Sequence, residues 1–211
     1  MTFESCCNFL TNKESCSIYS IDVALKNFSI SSLTTKRNLR INFASPAQYE
    51  KLLPYFFKLL VETSKSASLV FKSERQISKA TKNLRLEYFM RGILKTLNTS
   101  KQKIIYSEFF AKHKKIAAQK LGWEYEKIKS TKKFKSLIGE GAPLNLLVKD
   151  WSCAFFDIKT KKFEVFEELT QQKKFDDFVD TLLILVGKDE AKNRELTGGN
   201  PTEKTSAEHG V

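Results

Sequence analysis

The sequence predicts a single α/β domain: a mixed five-stranded sheet flanked by helices. Three observations carry this. Alternating, β-prone runs sit close together near the N-terminus. Later β-prone runs are short and separated by long repeats of helical period. The chain has 211 residues, 41% of them hydrophobic, which suits one domain with a real core and leaves little for a second.

The run Cys16–Ala24 alternates and reads as a first, central strand, Asn27–Leu33 as its hairpin partner and Asn38–Phe43 as a third strand. Ser45 and Pro46 then open a helix, serine at the cap and proline at the first helical position. Its apolar residues Leu52, Leu53, Phe56, Leu59 and Leu60 recur at helical spacing, and Pro54 predicts a kink or a late start. Ser68–Phe71 is a fourth strand, with Glu74 at its end. Thr81–Leu97 is an amphipathic helix through Leu84, Tyr88, Ile93, Leu94 and Leu97, and its apolar face could pack on the sheet or on a second copy. Lys103–Tyr106 is a fifth strand, and Glu108–Leu121 a very basic helix. Gly122 to Gln172 yields no clear pattern, and Lys174–Val186 closes the fold as a helix with Phe178, Leu182 and Leu185 on one face. The order is three strands, helix, strand, helix, strand, helices: a hairpin meander feeding a parallel section. An RNase H-like fold has this order, as do other mixed α/β domains.

The expected division is an N-terminal extension over 1–15, the domain over 16–187, and a disordered polar tail over 188–211. The N-terminus carries two glutamates, no arginine and no long apolar run, so it reads as neither a secretory signal nor a typical mitochondrial presequence. No membrane span is expected, because no stretch reaches eighteen apolar residues.

The 36 Lys and Arg against 24 Asp and Glu give a formal net charge of +12. A surplus of that size points to a polyanionic partner: nucleic acid, an acidic membrane or an acidic protein. Cys6, Cys7, Cys16 and Cys153 form no CxxC pair, and His113 and His209 lack zinc spacing, so free thiols in a reducing compartment are expected.

The acids carry the chemistry. Asp22 interrupts the apolar strand in Ile-Asp-Val-Ala, which is costly for a core-facing carboxylate unless it is paired or binds metal, and unremarkable if it faces solvent. Glu74 lies at a strand end, where α/β sheets place their sites. Asp176, Asp177 and Asp180 begin the last helix, with Asp177 and Asp180 on one face. A helix dipole favours acids there too. If these carboxylates meet, their hard oxygens suit Mg²⁺, or Mn²⁺ in its place, rather than zinc.

These segments resemble the Holliday junction resolvases of fungal mitochondria and poxviruses, relatives of bacterial RuvC. Ile21-Asp22-Val23-Ala24-Leu25-Lys26-Asn27 is similar to their first-strand motif, Glu74-Arg75-Gln76 to their Glu-Arg-Gln triplet, and Lys174-Phe175-Asp176-Asp177-Phe178-Val179-Asp180-Thr181 to their Lys-x-Asp-Asp-x-x-Asp-Ser motif. The resemblance implies a homodimer that binds branched DNA and nicks two strands of a four-way junction with Mg²⁺. It implies Asp22, Glu74, Asp177 and Asp180 as catalytic metal ligands, with Asp176 beside them. Arg75 and Gln76 would touch DNA or support Glu74. Some relatives carry a catalytic lysine where Lys112-His113-Lys114-Lys115 stands; Lys115 is the expected catalytic residue and Lys114 a DNA contact, unless the run is simply a solvated face. The sequence departs from the family pattern at Val23-Ala24-Leu25, where relatives often have glycine, and at Thr181, where they have serine. Compartment is left open: mitochondrion for a fungal chain, the site of viral DNA replication for a viral one.

Other readings are an RNase H-like nuclease with another substrate shape, a DNA-binding module without cleavage, and a basic protein-interaction domain with structural acids. Phe109, Phe110, Trp123 and Tyr125 lie among lysines. The first two are expected in the core, and Trp123 could stack on unpaired bases.

Overall fold

In the computed structural model, the described residues are 3–12, 14–24, 27–43, 45–76, 81–120, 150–166, 176–186 and 194–195. The elements in chain order are α1 (Phe3–Leu10), β1 (Cys16–Asp22), β2 (Asn27–Ser32), β3 (Arg37–Asn42), α2 (Pro46–Ser64), β4 (Ser68–Glu74), α3 (Thr81–Leu97), β5 (Lys103–Phe109), α4 (Ala111–Lys120), β6 (Ser152–Asp157), β7 (Lys162–Phe166), α5 (Asp176–Val186) and the two-residue β8 (Arg194–Glu195).

The strands form one sheet in the order β7-β6-β3-β2-β1-β4-β5-β8. β1, β2 and β3 are an antiparallel meander, while β4 and β5 run parallel to β1 on its other side. That inner five-stranded unit is the RNase H-like arrangement expected from the element order. The sheet is wider than expected: β6 joins β3 in parallel, β7 closes that edge and β8 pairs with β5. β6 and β7 lie within the stretch where the sequence showed no pattern. β6 alternates only loosely, because Cys153, Ala154 and Phe156 are all buried, and a turn at Lys161 in the left-handed region joins it to β7.

Alternation along the strands assigns the two faces. Tyr19 and Ile21 of β1, Phe28 and Ile30 of β2, Leu39 and Ile41 of β3, and Phe71 of β4 are buried in the core cluster with α1, α2 and α3. Tyr19 stacks on its register partner Phe71, with ring centroids 5.2 Å apart, and Phe28 packs edge-on against Phe56 and Phe57 of α2. The opposite face carries Ser20, Asp22, Ser29, Ser31 and Asn38, and receives α5.

Three local expectations change, and the helix start expected at Pro46 holds. Residues 3–10, set apart as part of an extension, form α1, whose Phe3, Cys6, Cys7 and Leu10 are buried in the core. An eight-residue helix is too short for its pattern to stand out from sequence. α2 starts at Pro46 and runs through Pro54 to Ser64; Ser45 accepts a hydrogen bond from the Gln48 N–H, as expected of the cap. β5 extends to Phe109, so Glu108 is a strand residue and α4 begins at Ala111. On α3 the buried phase is Leu86, Met90 and Leu94, which pack in the core with α2 and the sheet, whereas Tyr88 is exposed. The cysteines are free thiols, with Cys16 exposed and the other three buried. Phe109 is buried, and Phe110 lies against His113 and the Arg75 guanidinium. Trp123 and Tyr125 lie outside the described residues. Among the described residues no helix is long and apolar enough to cross a membrane.

Candidate active site

Strand register brings the first two acids together. Ile21 pairs with Ser73 in the parallel β1–β4 ladder. One step further along both strands, Asp22 and Glu74 are neighbours on the α5 face. They stand at the carboxyl ends of adjacent parallel strands, where α/β sheets hold their ligands.

α5 delivers the other pair. It is buried through Phe178, Val179 and every residue from Thr181 to Leu185, while Asp177 and Asp180 keep partial exposure at its N-terminal end. A polar network seats it on the sheet. Ser20 Oγ donates to the Thr181 carbonyl at 2.8 Å, and the hydroxyls of Thr181 and Ser31 are 2.7 Å apart. The Asn38 amide donates to Ser29 Oγ at 3.0 Å and Ser31 Oγ at 2.9 Å. All of these groups are buried, so each bond satisfies a group that water cannot reach. Threonine at 181, a departure from the serine of the resembled motif, keeps the hydroxyl this network uses.

A lysine closes the site. Lys114 of α4 places its Nζ 2.5 Å from Glu74 Oε2 and 3.2 Å from Asp180 Oδ2, with its side chain only 4% exposed. Lys115, the expected catalytic lysine, is instead exposed. The run of basic residues gave no phase for α4; packing against α5 chooses Lys114 as the inward residue. Burial lowers the Lys114 ammonium's pKa, but the charges of Asp180, Asp22 and Glu74 outweigh this and leave it above the ordinary lysine value. Asp22 shifts strongly: burial pushes its carboxyl up to about 7, with Lys114 pulling it down and Asp180, Glu74 and Asp177 adding to the rise. The four carboxylates therefore share one electrostatic environment.

Arg40 of β3 is a second cation there, with Nη1 3.8 Å from Asp177 Oδ2. The side chain of Asp176 lies outside the described residues. Among the described residues, no three carboxylate, histidine or cysteine side chains stand close enough to hold one metal ion. The Lys114 ammonium occupies the space between Glu74 and Asp180 instead. The donor chemistry still fits a hard divalent cation: four carboxylates face two cations, Lys114 and Arg40, leaving a surplus of two negative charges when all are ionised.

Arg75 and Gln76 lead away from this face. They line a cleft of about 340 Å³ on the α3 side, with Glu87, Tyr88, Arg91 and Glu108. Arg91 pairs with Glu108 at 2.6 Å. Glu87 is buried and accepts from the Gln76 N–H at 2.8 Å and from Tyr106 Oη at 3.3 Å. Burial raises the Glu87 pKa, partly offset by the Gln76 N–H. Gln76 thus reaches α3, and its side-chain amide bonds the Glu74 carbonyl at 3.4 Å. Sequence reasoning missed Arg40, Glu87, Arg91 and Glu108. The available signals were Arg40 alternating with Leu39 and Ile41 in a strand, and Glu87 and Arg91 four apart on one helix.

The chain is structurally similar to the yeast mitochondrial Holliday junction resolvase Ydc2, at a TM-score of 0.41 and 14% identity, over 88% of this chain and 82% of that one. No family model matches the sequence, and neither does any curated protein.

Proposed function

We propose that this chain is a divalent-metal-dependent endodeoxyribonuclease that resolves four-way DNA junctions. The supporting observation is the convergence of acids from three distant segments, Asp22, Glu74 and the Asp177/Asp180 pair, around the buried ammonium of Lys114. The surplus of positive charge across the chain favours a polyanionic substrate. The sequence motifs supply the preference for branched DNA and for a homodimer that nicks paired strands.

Asp22, Glu74, Asp177 and Asp180 would hold Mg²⁺ or Mn²⁺, which supplies Lewis-acid stabilisation of the phosphodiester and lowers the pKa of a coordinated water. Lys114 is a permanent cation at working pH. Placed between Glu74 and Asp180, it would neutralise charge building on the scissile phosphate. Arg75 and Gln76 anchor the end of β4 and so hold Glu74 in place.

The Lys114 pairs also favour a second reading, a DNA-binding module in which the lysine permanently ties the carboxylates together. One assay separates the two. The nuclease nicks a synthetic four-way junction in Mg²⁺ or Mn²⁺ and spares linear duplex, and Asp22→Asn abolishes nicking while leaving junction binding intact. Binding without nicking in either metal selects the module. Nicking that persists in Asp22→Asn refutes the site.

A further inference from the structure

Arg40 stands in the row of the acids with two donors, Nε and Nη1, that no group among the described residues accepts. Asn38, Arg40 and Asn42 alternate on β3 with the buried Leu39 and Ile41 and so face α5. Register sets Arg40 opposite Ser29, and Ser29 opposite Asp22. Arg40 is therefore two strand spacings, about 10 Å, from Asp22 on the same face. On its other side it pairs with Phe155 of β6, and its guanidinium lies over that ring, 4.6 Å from the centroid. Stacking on an aromatic fixes the plane of a guanidinium without using its N–H groups.

Those N–H groups are the anomaly. Arg40 Nε and Nη1 are shielded from solvent and have no hydrogen-bond partner among the described residues. The neighbouring carboxylate, Asp177 Oδ2, is 3.8 Å from Nη1, too far for a hydrogen bond. An arginine serving only to tether α5 would close on Asp177 in a bidentate contact. This one is held flat, next to the site, with Nε and Nη1 unmet among the described residues.

We propose that Arg40, backed by Phe155, is a docking residue for a DNA backbone phosphate flanking the one held at the carboxylates. Two phosphate oxygens match the planar fork of a guanidinium, whose side chain is 19% exposed and would turn Nε and Nη1 out of their shielded position to meet them. The proposal rests on the DNA-nuclease reading for its substrate class, but its test reads binding alone.

The test compares wild type with Arg40→Gln on a labelled four-way junction and on linear duplex, with Ca²⁺ replacing Mg²⁺, across a salt series. A set of junctions, each with one phosphate replaced by a neutral methylphosphonate, is bound in parallel. Loss of one phosphate contact makes the slope of log affinity against log salt shallower by about 0.9 and weakens binding roughly tenfold at low salt. At one position the methylphosphonate should weaken wild type by about that factor and leave Arg40→Gln no weaker. Arg40→Lys, which keeps the charge and the Asp177 attraction, should keep the salt slope but lose most of that coupling; it carries the comparison if Arg40→Gln fails to fold. Equal slopes, or phosphonate effects that add at every position, overturn the proposal and leave Arg40 a tether for α5. A wild type that binds DNA but cuts none refutes the nuclease reading while the Arg40 comparison still stands. A wild type that binds neither DNA overturns both.

Discussion

The Lys114 ammonium lies 2.5 Å from a Glu74 carboxylate oxygen and is almost wholly enclosed. α4 and β4 are thereby tied together at the acidic cluster by a protein cation. Removing one partner of such a buried pair leaves uncompensated charge, which costs on the order of 3–5 kcal/mol.

Lys114→Met should therefore lower the thermal midpoint markedly in EDTA, and Mg²⁺ should restore more stability to this variant than it adds to wild type. Lys115→Met, at an exposed position, should stay within about 0.5 kcal/mol of wild type. Equal losses in the two variants, by thermal melts with and without Mg²⁺, would count against Lys114 as the enclosed cation.

Asp22 makes the metal-free protein sensitive to pH. Its folded pKa, about 7, is raised above the ordinary 3.8, mainly by burial. The folded state therefore keeps a proton that the unfolded chain releases. The stability linked to that proton is full below about pH 4 and is lost as pH rises through 7. Asp22→Asn should remove this pH dependence and be more stable than wild type at pH 8 by about 1–3 kcal/mol, measured by urea denaturation in EDTA. A variant as pH-sensitive as wild type would refute the assignment.

The same proton competes with a cation. Apparent Mg²⁺ affinity should rise from pH 6 to pH 8, approaching tenfold per unit below the Asp22 pKa if one proton is displaced. Calorimetric titration at several pH values checks this, and a flat profile would mean that Asp22 stays clear of the metal.

Thr181 should matter through its hydroxyl. Thr181→Val leaves Ser31 and the Asn38 amide short of a buried partner, costing about 1–3 kcal/mol. Thr181→Ser keeps the network and should stay within about 1 kcal/mol of wild type. Denaturant melts decide, and equal losses would reduce the effect to packing alone.

α1 belongs to the core rather than to an extension. Leu10→Ala should cost about 2–5 kcal/mol, the range for emptying a fully buried leucine site. Near-wild-type stability in urea would show that α1 docks weakly.

Much of the inner sheet was legible locally. The alternation of β1, β2 and β3 is a backbone property that survives any context, and the cap at Ser45 needs only its own hydrogen bond to Gln48. Asp22 was conspicuous because a carboxylate in an apolar strand demands an explanation. β6 and β7 were not legible: β6 is buried on both sides in places, so its alternation is blurred, and pairing with β3 is a long-range event. Glu87 and Arg91 were hidden because a helix shows its period but not the neighbour each face will meet.

The sequence alone determined the strand meander and the helix start at Pro46 and singled out Asp22, Glu74, Asp177 and Asp180 as candidate acids, since these depend on periodicity and residue chemistry within short windows. Tertiary structure alone decided that Lys114 rather than Lys115 turns inward, that α1 enters the core, and that Arg40 joins the row of Asp22. Each of those depends on the rotation of a helix or the register of a strand, and both are set by packing between segments far apart in the chain.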